Sequence, residues 1–461
     1  MTSYGLSRAA RLTAAALTGF VLSACSTDEL LTVTDPDIIN PSDVNSPAGA
    51  NAVRLGALAR LNAATTGAPA GGEGLIQLGG LLADEWRSGD TFIDRDEIDQ
   101  RNTRRENTFL LGATRQINRA RLSGSQASEL LDQYAPAAPG WHRAEMYFVQ
   151  AYAENLMAEH FCNGLIMSTV VNGVEQYGAP MTNQAAYERA LAHADSGLAL
   201  ITGTTTDDNR VRSALQVIKG RILVNLDRHA EAATAVAPVL TSARYNMFHS
   251  QTSNENAIWN LNNSLRRYNL SGGEGGVGLD FVTPADPRVP NCAGGTAPCN
   301  AAGATGTRTF DNNTTPAFRA QLMWTTRDAT VYIASGIEAR LIEAEAQVRA
   351  NPTTGGTYLA ILNNLRSSGG VAGLTPLVDP GTNAGRIDQV FRERAFWLFG
   401  KGHRLGDLRR LMRQYGRTET QVFPNGTYHK GGNYGTGVNF PVPQAEDNNP
   451  LAAGGCIDRL P

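Results

Sequence analysis

Asp388–Leu411 reads DQVFRERAFWLFGKGHRLGDLRRL. Ile387 just ahead of it, then Val390, Phe391, Ala395, Leu398 and Phe399, recur at helical spacing and give one helix a broad apolar face. Gly400 and Gly402 interrupt the pattern, because glycine reaches backbone angles that end helices. A second helix restarts near Leu405. Charges crowd the turn: Glu393, Arg394, Arg404, Asp407, Arg409 and Arg410. Arginine-rich helix turns position backbone and pair with acids more often than they do chemistry, so the set is taken as structural. The competing assignment is a catalytic Glu or Asp with arginine partners.

Helical periodicity extends outward on both sides. A helix is expected over 48–63. From about residue 108, Ala144, Phe148, Ala151, Tyr152 and Leu156 mark one helix, and Tyr187, Ala190, Leu191, Ala194 and Leu198 another, with Thr182 placed to cap it. Val211, Ala214, Leu215, Ile218, Ile222 and Leu226 pair with Ala230, Ala233, Ala237 and Leu240 across a short link, which implies antiparallel neighbours. Ile337, Leu341, Ala344 and Val348 precede a helix carrying Tyr358, Ile361, Leu362 and Leu365. Alanine-rich helix pairs look like tetratricopeptide repeats with a period broken by insertions. Residues 64–80 read as a glycine-rich loop, and the acids of 90–100 as a solvated loop. Asp94, Asp96 and Asp99 lack the glycine and closing Glu of an EF-hand. Residues 241–332 and 416–461 read as irregular structure over the scaffold, where binding loops sit.

The 461 residues carry a net charge of −3, so no basic field argues for nucleic acid. Arg8 and Arg11 precede an apolar run, Leu12–Leu22, shorter than the roughly 20 residues a bilayer needs. The run reads as a secretory signal peptide, residues 1–24. Leu22-Ser23-Ala24-Cys25 looks like a bacterial lipobox, which places acyl chains on Cys25 and anchors the chain in a membrane. Ser26, rather than Asp, is compatible with the outer membrane. Four cysteines remain: Cys162, Cys292, Cys299 and Cys456. In an exported chain they suggest two disulfides, with three possible connectivities. Cys292 with Cys299, a local staple, is the simplest choice and leaves Cys162 with Cys456. Without CxxC or a neighbouring histidine, a metal site is not expected.

Gly273–Gly278 matches GxGxxG, but Pro284 and Pro287 follow where a helix should, so a flexible loop is the better account. No GxSxG, HExxH or phosphate loop is present, so no cofactor is expected, and among 43 acids nothing singles out the carboxylate pair a glycosidase would use. Sugars offer flat CH faces and hydroxyls, which aromatic rings and Asn, Asp or Arg recognise. Trp86, Trp259, Tyr268, Phe281 and Trp324 lie in or beside irregular regions, with Asn260, Asn262, Asn263, Arg266 and Arg267 close to two of them. These five aromatics are the candidate ligand-binding residues.

Glu393-Arg394, Gly402, Arg404 and Asp407-Leu408-Arg409 resemble the C-terminal signature of the SusD/RagB family of surface nutrient-binding lipoproteins. Trp397 and Lys401 stand where that family often carries acids. Pro441-Val442-Pro443, Glu446 and Asn449-Pro450 resemble its closing segment, and the stretch from Asp35 its N-terminal segment. The resemblance implies a mainly α fold, one SusD-like domain over 36–461 behind a lipidated tether, 25–35. Four tetratricopeptide-like helix pairs would form a scaffold (about 48–63, 108–240 and 333–415). Long irregular loops would overlie it (about 64–107, 241–332 and 416–461). It implies capture of an oligosaccharide, sometimes a peptide, without catalysis, and delivery to a SusC-like TonB-dependent β-barrel transporter at the outer membrane. A secreted glycan hydrolase and a protein-binding repeat scaffold are the alternatives.

Overall fold

A computed structural model of the chain describes residues 45–68, 73–171 and 174–461. The expected signal peptide, Cys25 and the tether lie outside the described residues. The architecture is mainly helical, with strands paired only in twos.

Helix α1, Pro47–Thr65, starts where Ser46 accepts a hydrogen bond from the Gly49 amide (3.0 Å) and Pro47 takes the first helical position. Helices α2, Leu75–Leu82, and α3, Ile93–Asp99, follow around a short strand β1, Trp86–Ser88. Both helices correct the loop expected over 64–107. All eight residues of α2 are buried, so its glycines serve close packing. The acids around α3 are not a solvated loop either: Asp90, Arg95 and Asp99 are buried, and Glu73 accepts two hydrogen bonds from Arg95 (2.7 and 2.6 Å).

Helix α4, Thr108–Tyr134, packs between α1 and α5, Gly140–His160. From Ala144 to His160 every side chain of α5 but Tyr147 is buried, which makes it the central helix. Helix α6, Asn183–Ala199, packs on α5 and is capped by Thr182, which accepts from the Ala185 amide (3.2 Å). Helices α7, Thr206–Asn225, and α8, His229–Val236, pack on each other as expected, but α8 has a different face. His229, Ala232, Val236 and Val239 are buried, whereas Leu240 is 72% exposed. The helix ends at Val236, four residues before the expected contact.

Strand β2, Arg244–Met247, and, beyond β3, Tyr268–Leu270, strand β4, Val331–Ser335, bracket the long insert. β2 pairs with β4, and β1 with β3, both antiparallel. Helix α9, Gly336–Ala350, packs on α7, α8, α10 (Tyr358–Ser368) and α11 (Asn383–Trp397). Helix α12, Arg404–Tyr415, returns to α2 and α5. Between α11 and α12, Gly400 and Gly402 have φ of +68° and +79°. A Cβ on Gly402 would lie 2.7 Å from Ile76 Cγ1, so this turn requires glycine twice over.

The charges at this turn are ion pairs inside the core. Arg394 donates twice to Asp407 (2.8 and 2.9 Å), and Arg404 twice to Asp84 (2.6 and 2.7 Å). Glu393 accepts from Arg288 and Arg366 (2.7 Å each), and Arg409 donates to the Ala158 and Glu159 carbonyls (3.0 and 2.7 Å). Thus α11 and α12, which pack mainly on other helices, are tied to each other and to α2 and α5 through planar guanidinium contacts.

Disulfides join Cys162 to Cys456 and Cys292 to Cys299. The first closes a separation of 294 residues and fastens the C-terminal tail beside the end of α5. There the Cys162 amide also donates to the Phe440 carbonyl (2.9 Å). Replacing Cys162 and Cys456 by serine is expected to lower the unfolding free energy by about 2–5 kcal/mol. Urea unfolding checks this, and an unchanged midpoint would contradict it.

Candidate functional site

Four of the five aromatics expected to bind ligand are core residues. Trp86 packs edge-on against Phe399 (4.9 Å between centroids) and Phe281 against Phe399 and Phe396 (4.8 and 5.1 Å). Tyr268 is buried beside Trp86 with its hydroxyl on Glu73 (3.1 Å), and Trp324 is buried under Gly400 and Lys401. None presents a ring face to solvent. Trp259 is half-buried; its indole N–H donates to the Ala302 carbonyl (3.0 Å) and Arg327 covers its ring. Asn262 and Asn263 are spent on backbone carbonyls of the insert.

Other rings stand at the surface nearby. Phe92, at the start of α3, is 49% exposed, and Phe310, in the insert, 40%. The Arg267 guanidinium lies between them, 4.9 Å from one ring centroid and 3.9 Å from the other. It also donates to Asp90 (2.6 Å). The backbone aligns these segments: the Phe310 amide donates to Arg266 O (2.9 Å) and that of Asp311 to Gly89 O (3.0 Å). Lys430 reaches in from the C-terminal region, donating to Asp96 Oδ1 (2.7 Å) and the Asp90 carbonyl (2.5 Å) and lying 3.0 Å from Asp311. The result is a rim of two half-exposed rings spaced by a cation–π contact and edged by exposed Thr91 and Asn312.

A buried polar layer supports the rim. Asp99 Oδ2 accepts from the Ser88 amide (2.7 Å) and the Tyr428 hydroxyl (2.9 Å). Glu274, on the turn of the GxGxxG stretch, accepts from the Tyr434 hydroxyl (3.0 Å) and pairs with Arg87 (3.1 Å). Burial pushes the Asp99 carboxyl up to about 7, against the Ser88 amide and Tyr428 bonds that favour its charge. Burial, then the Asp99 charge, pushes Glu274 well above the carboxylate range. Phe92, Phe310, Glu274 and His429 escaped the sequence reading because no spacing marks them; only folding brings their segments together.

A second concave surface lies on the scaffold. A groove of ≈ 640 Å³ is lined by Arg54, Trp141, Arg210, Arg244 and Phe248. Arg54 and Arg210 already cover the Trp141 ring, at 5.0 and 5.7 Å.

The SusD family model matches residues 338–449, which contain the whole ion-paired turn. The fold agrees over most of the chain. A SusD superfamily protein from Bacteroides vulgatus superposes with a TM-score of 0.63 at 14% identity, covering 88% of this chain and 99% of that one. Residues 338–449 thus match the SusD family, and the fold as a whole is SusD-like. A SusD homolog from Bacteroides thetaiotaomicron gives 0.63 at 12% identity, covering 91% and 99%. A laminarin-binding SusD-like protein gives 0.61 at 12% identity, covering 88% and 98%. No curated protein matches this chain.

Proposed function

We propose that this SusD-like protein binds an oligosaccharide on the Phe92–Arg267–Phe310 rim, without breaking a bond. It would hand the ligand to a TonB-dependent β-barrel at the outer membrane, where acyl chains on Cys25 hold it. The observation that carries the reading is the pair of half-exposed rings on the loop side of a helical scaffold. Such rings stack on the CH faces of sugars, and Arg267, Asn312 and Thr91 lie where hydroxyls would meet them. One structural neighbour is a laminarin-binding protein and another a carbohydrate-binding one, which supports a glycan over a peptide. The lipobox supports the surface location, and the family resemblance supports the barrel partner.

Calorimetric titration with laminarin and starch oligosaccharides tests the binding. At least one should bind, and Phe92→Ala with Phe310→Ala should weaken it about tenfold or more, each ring contributing ~0.5–1.5 kcal/mol. Trp141→Ala, in the scaffold groove, should leave it unchanged. Loss of binding in Trp141→Ala alone would move the site to the groove. Release of reducing ends from a bound glycan would replace capture by hydrolysis. Co-purification of a large β-barrel from native membranes tests delivery.

A further inference from the structure

Asp99 on α3, Glu274 on the glycine-rich turn and His429 in the C-terminal region meet beneath the rim. One ligand-type atom from each lies within 4.8 Å of the other two, the one such trio found among the described residues. His429 Nε2 is 3.0 Å from the Ser88 carbonyl. A carbonyl can only accept, so the ring proton sits on Nε2 and Nδ1 keeps a lone pair. That lone pair faces two carboxylates, 3.8 Å from Asp99 Oδ2 and 3.7 Å from Glu274 Oε1. Asp99 Oδ1, Glu274 Oε2 and His429 Nδ1 are all buried without a hydrogen-bond partner, and Asp99 and Glu274 are each only 2% exposed.

The oxygens nearest Nδ1 already take donors, but Asp99 Oδ1, Glu274 Oε2 and Nδ1 itself do not, and this buried deficit of donors is one that a cation satisfies. The groups facing the centre are Arg87, on Glu274, and the hydroxyls of Tyr428 and Tyr434. Asp84, Asp96 and Lys430 act from farther out. With both carboxyls ionised, Arg87 would balance one of the two charges and leave the other to a bound cation. Imidazole bonded through its far nitrogen to a backbone carbonyl is how proteins fix a metal-binding histidine.

We propose that Asp99, Glu274 and His429 form a binding site for a divalent first-row transition ion of the zinc type. One imidazole nitrogen with two carboxylate oxygens suits zinc, whose bonds to such ligands are about 2.0–2.2 Å. Calcium prefers six to eight oxygens and has no use for the nitrogen. The ion would cross-link α3, the 273–278 turn and the 428–434 segment. Since Ser88 and Lys430 connect these to Asp96 and Asp90, it would brace the rim from below. The site stands on its own geometry, independently of whether the rim binds a glycan.

The test is titration of the chelator-treated chain with zinc chloride by calorimetry, at neutral pH. One zinc per chain is expected, together with a rise in melting temperature. Glu274→Gln and His429→Ala should each weaken binding about 10–100-fold. His193→Ala, on α6 against Glu154, should not. Should the variants fail to fold, zinc-edge X-ray absorption of the unaltered chain decides: a nitrogen–oxygen shell with imidazole scattering is expected. No zinc uptake, uptake indifferent to both substitutions, or a shell without imidazole would overturn the site and leave a proton shared between Asp99 and Glu274 as the counter-charge.

Discussion

Asp407→Ala lowers the unfolding free energy by about 3–5 kcal/mol, the cost of leaving buried charge without its partner. The carboxylate is 3% exposed and accepts from Arg394 twice and from Arg410 once (2.8, 2.9 and 2.8 Å). Burial alone would raise its carboxyl, but the guanidinium charges of Arg394 and Arg410 outweigh burial and hold it below the usual range. Without it, Arg394 keeps only a 3.8 Å approach to Glu345, which Arg410 also uses. A domain of ordinary stability, about 5–15 kcal/mol, would lose a large share. Asp207→Ala offers the contrast: its pair with Arg210 is half in solvent, so under about 1 kcal/mol is expected. Chemical denaturation of both variants reads the difference. Equal small losses would mean that the turn is held by packing alone. Arg394→Met combined with Asp407→Leu should recover part of the loss, because the penalty comes from the orphaned charge rather than from the missing bond.

The α11–α12 turn was legible because its signals are local. An apolar face at Ile387, Val390, Phe391, Ala395 and Phe399, two glycines and a restart all fall within one window, and all five side chains are buried. The Thr182 cap was legible for the same reason. What failed depended on distant partners. The acids at α3 look solvated in sequence, yet Arg267 and Lys430 arrive from two distant places to pair Asp90 and Asp96, and Arg95 of α3 itself turns onto Asp90 and Glu73. Helix α8 carries alanines all around, so no face stands out, and its register could only come from its neighbours. Aromatic type gives chemistry but not direction: Trp86 and Phe281 were singled out as binders and face the core, whereas Phe92 and Phe310 sit at the surface. The centre beneath them joins residues 175 and 155 positions apart (99 to 274, then 274 to 429), a separation that no short motif spans.

Between pH 6.5 and 8 the protein should lose stability. Burial pushes Glu85 up to about 8, although the Gly400 amide donates to it (2.8 Å). Burial also pushes Glu338 up to about 8, against the charges of Arg221 and Arg394. The unfolded chain gives up these protons near 4.5, whereas the folded chain keeps them to about 8. Their stabilising share is therefore complete below 4.5 and is lost as pH rises through 8. Buried histidines act oppositely. Burial lowers His160 and His249 to about 4 and also holds His403 well below the usual imidazole range, so folding resists their protonation and stability falls as pH drops below 6.5. Below 6.5 the two sets oppose each other; above it the histidines are neutral in both states and only the carboxylates act. Each group contributes a slope of up to about 1.4 kcal/mol per pH unit, so Glu85 and Glu338 together give at most about 4 kcal/mol over this window, and the raised carboxyls of Asp99 and Glu274 add to the fall in the same direction. Melting temperature against pH should fall on the alkaline side, and Glu85→Gln or Glu338→Gln should each flatten the fall. A profile level from 6.5 to 8, or variants with the parent slope, would show that these carboxyls are ionised in the fold, with Arg404 and Arg221 as the nearest charges able to hold them so.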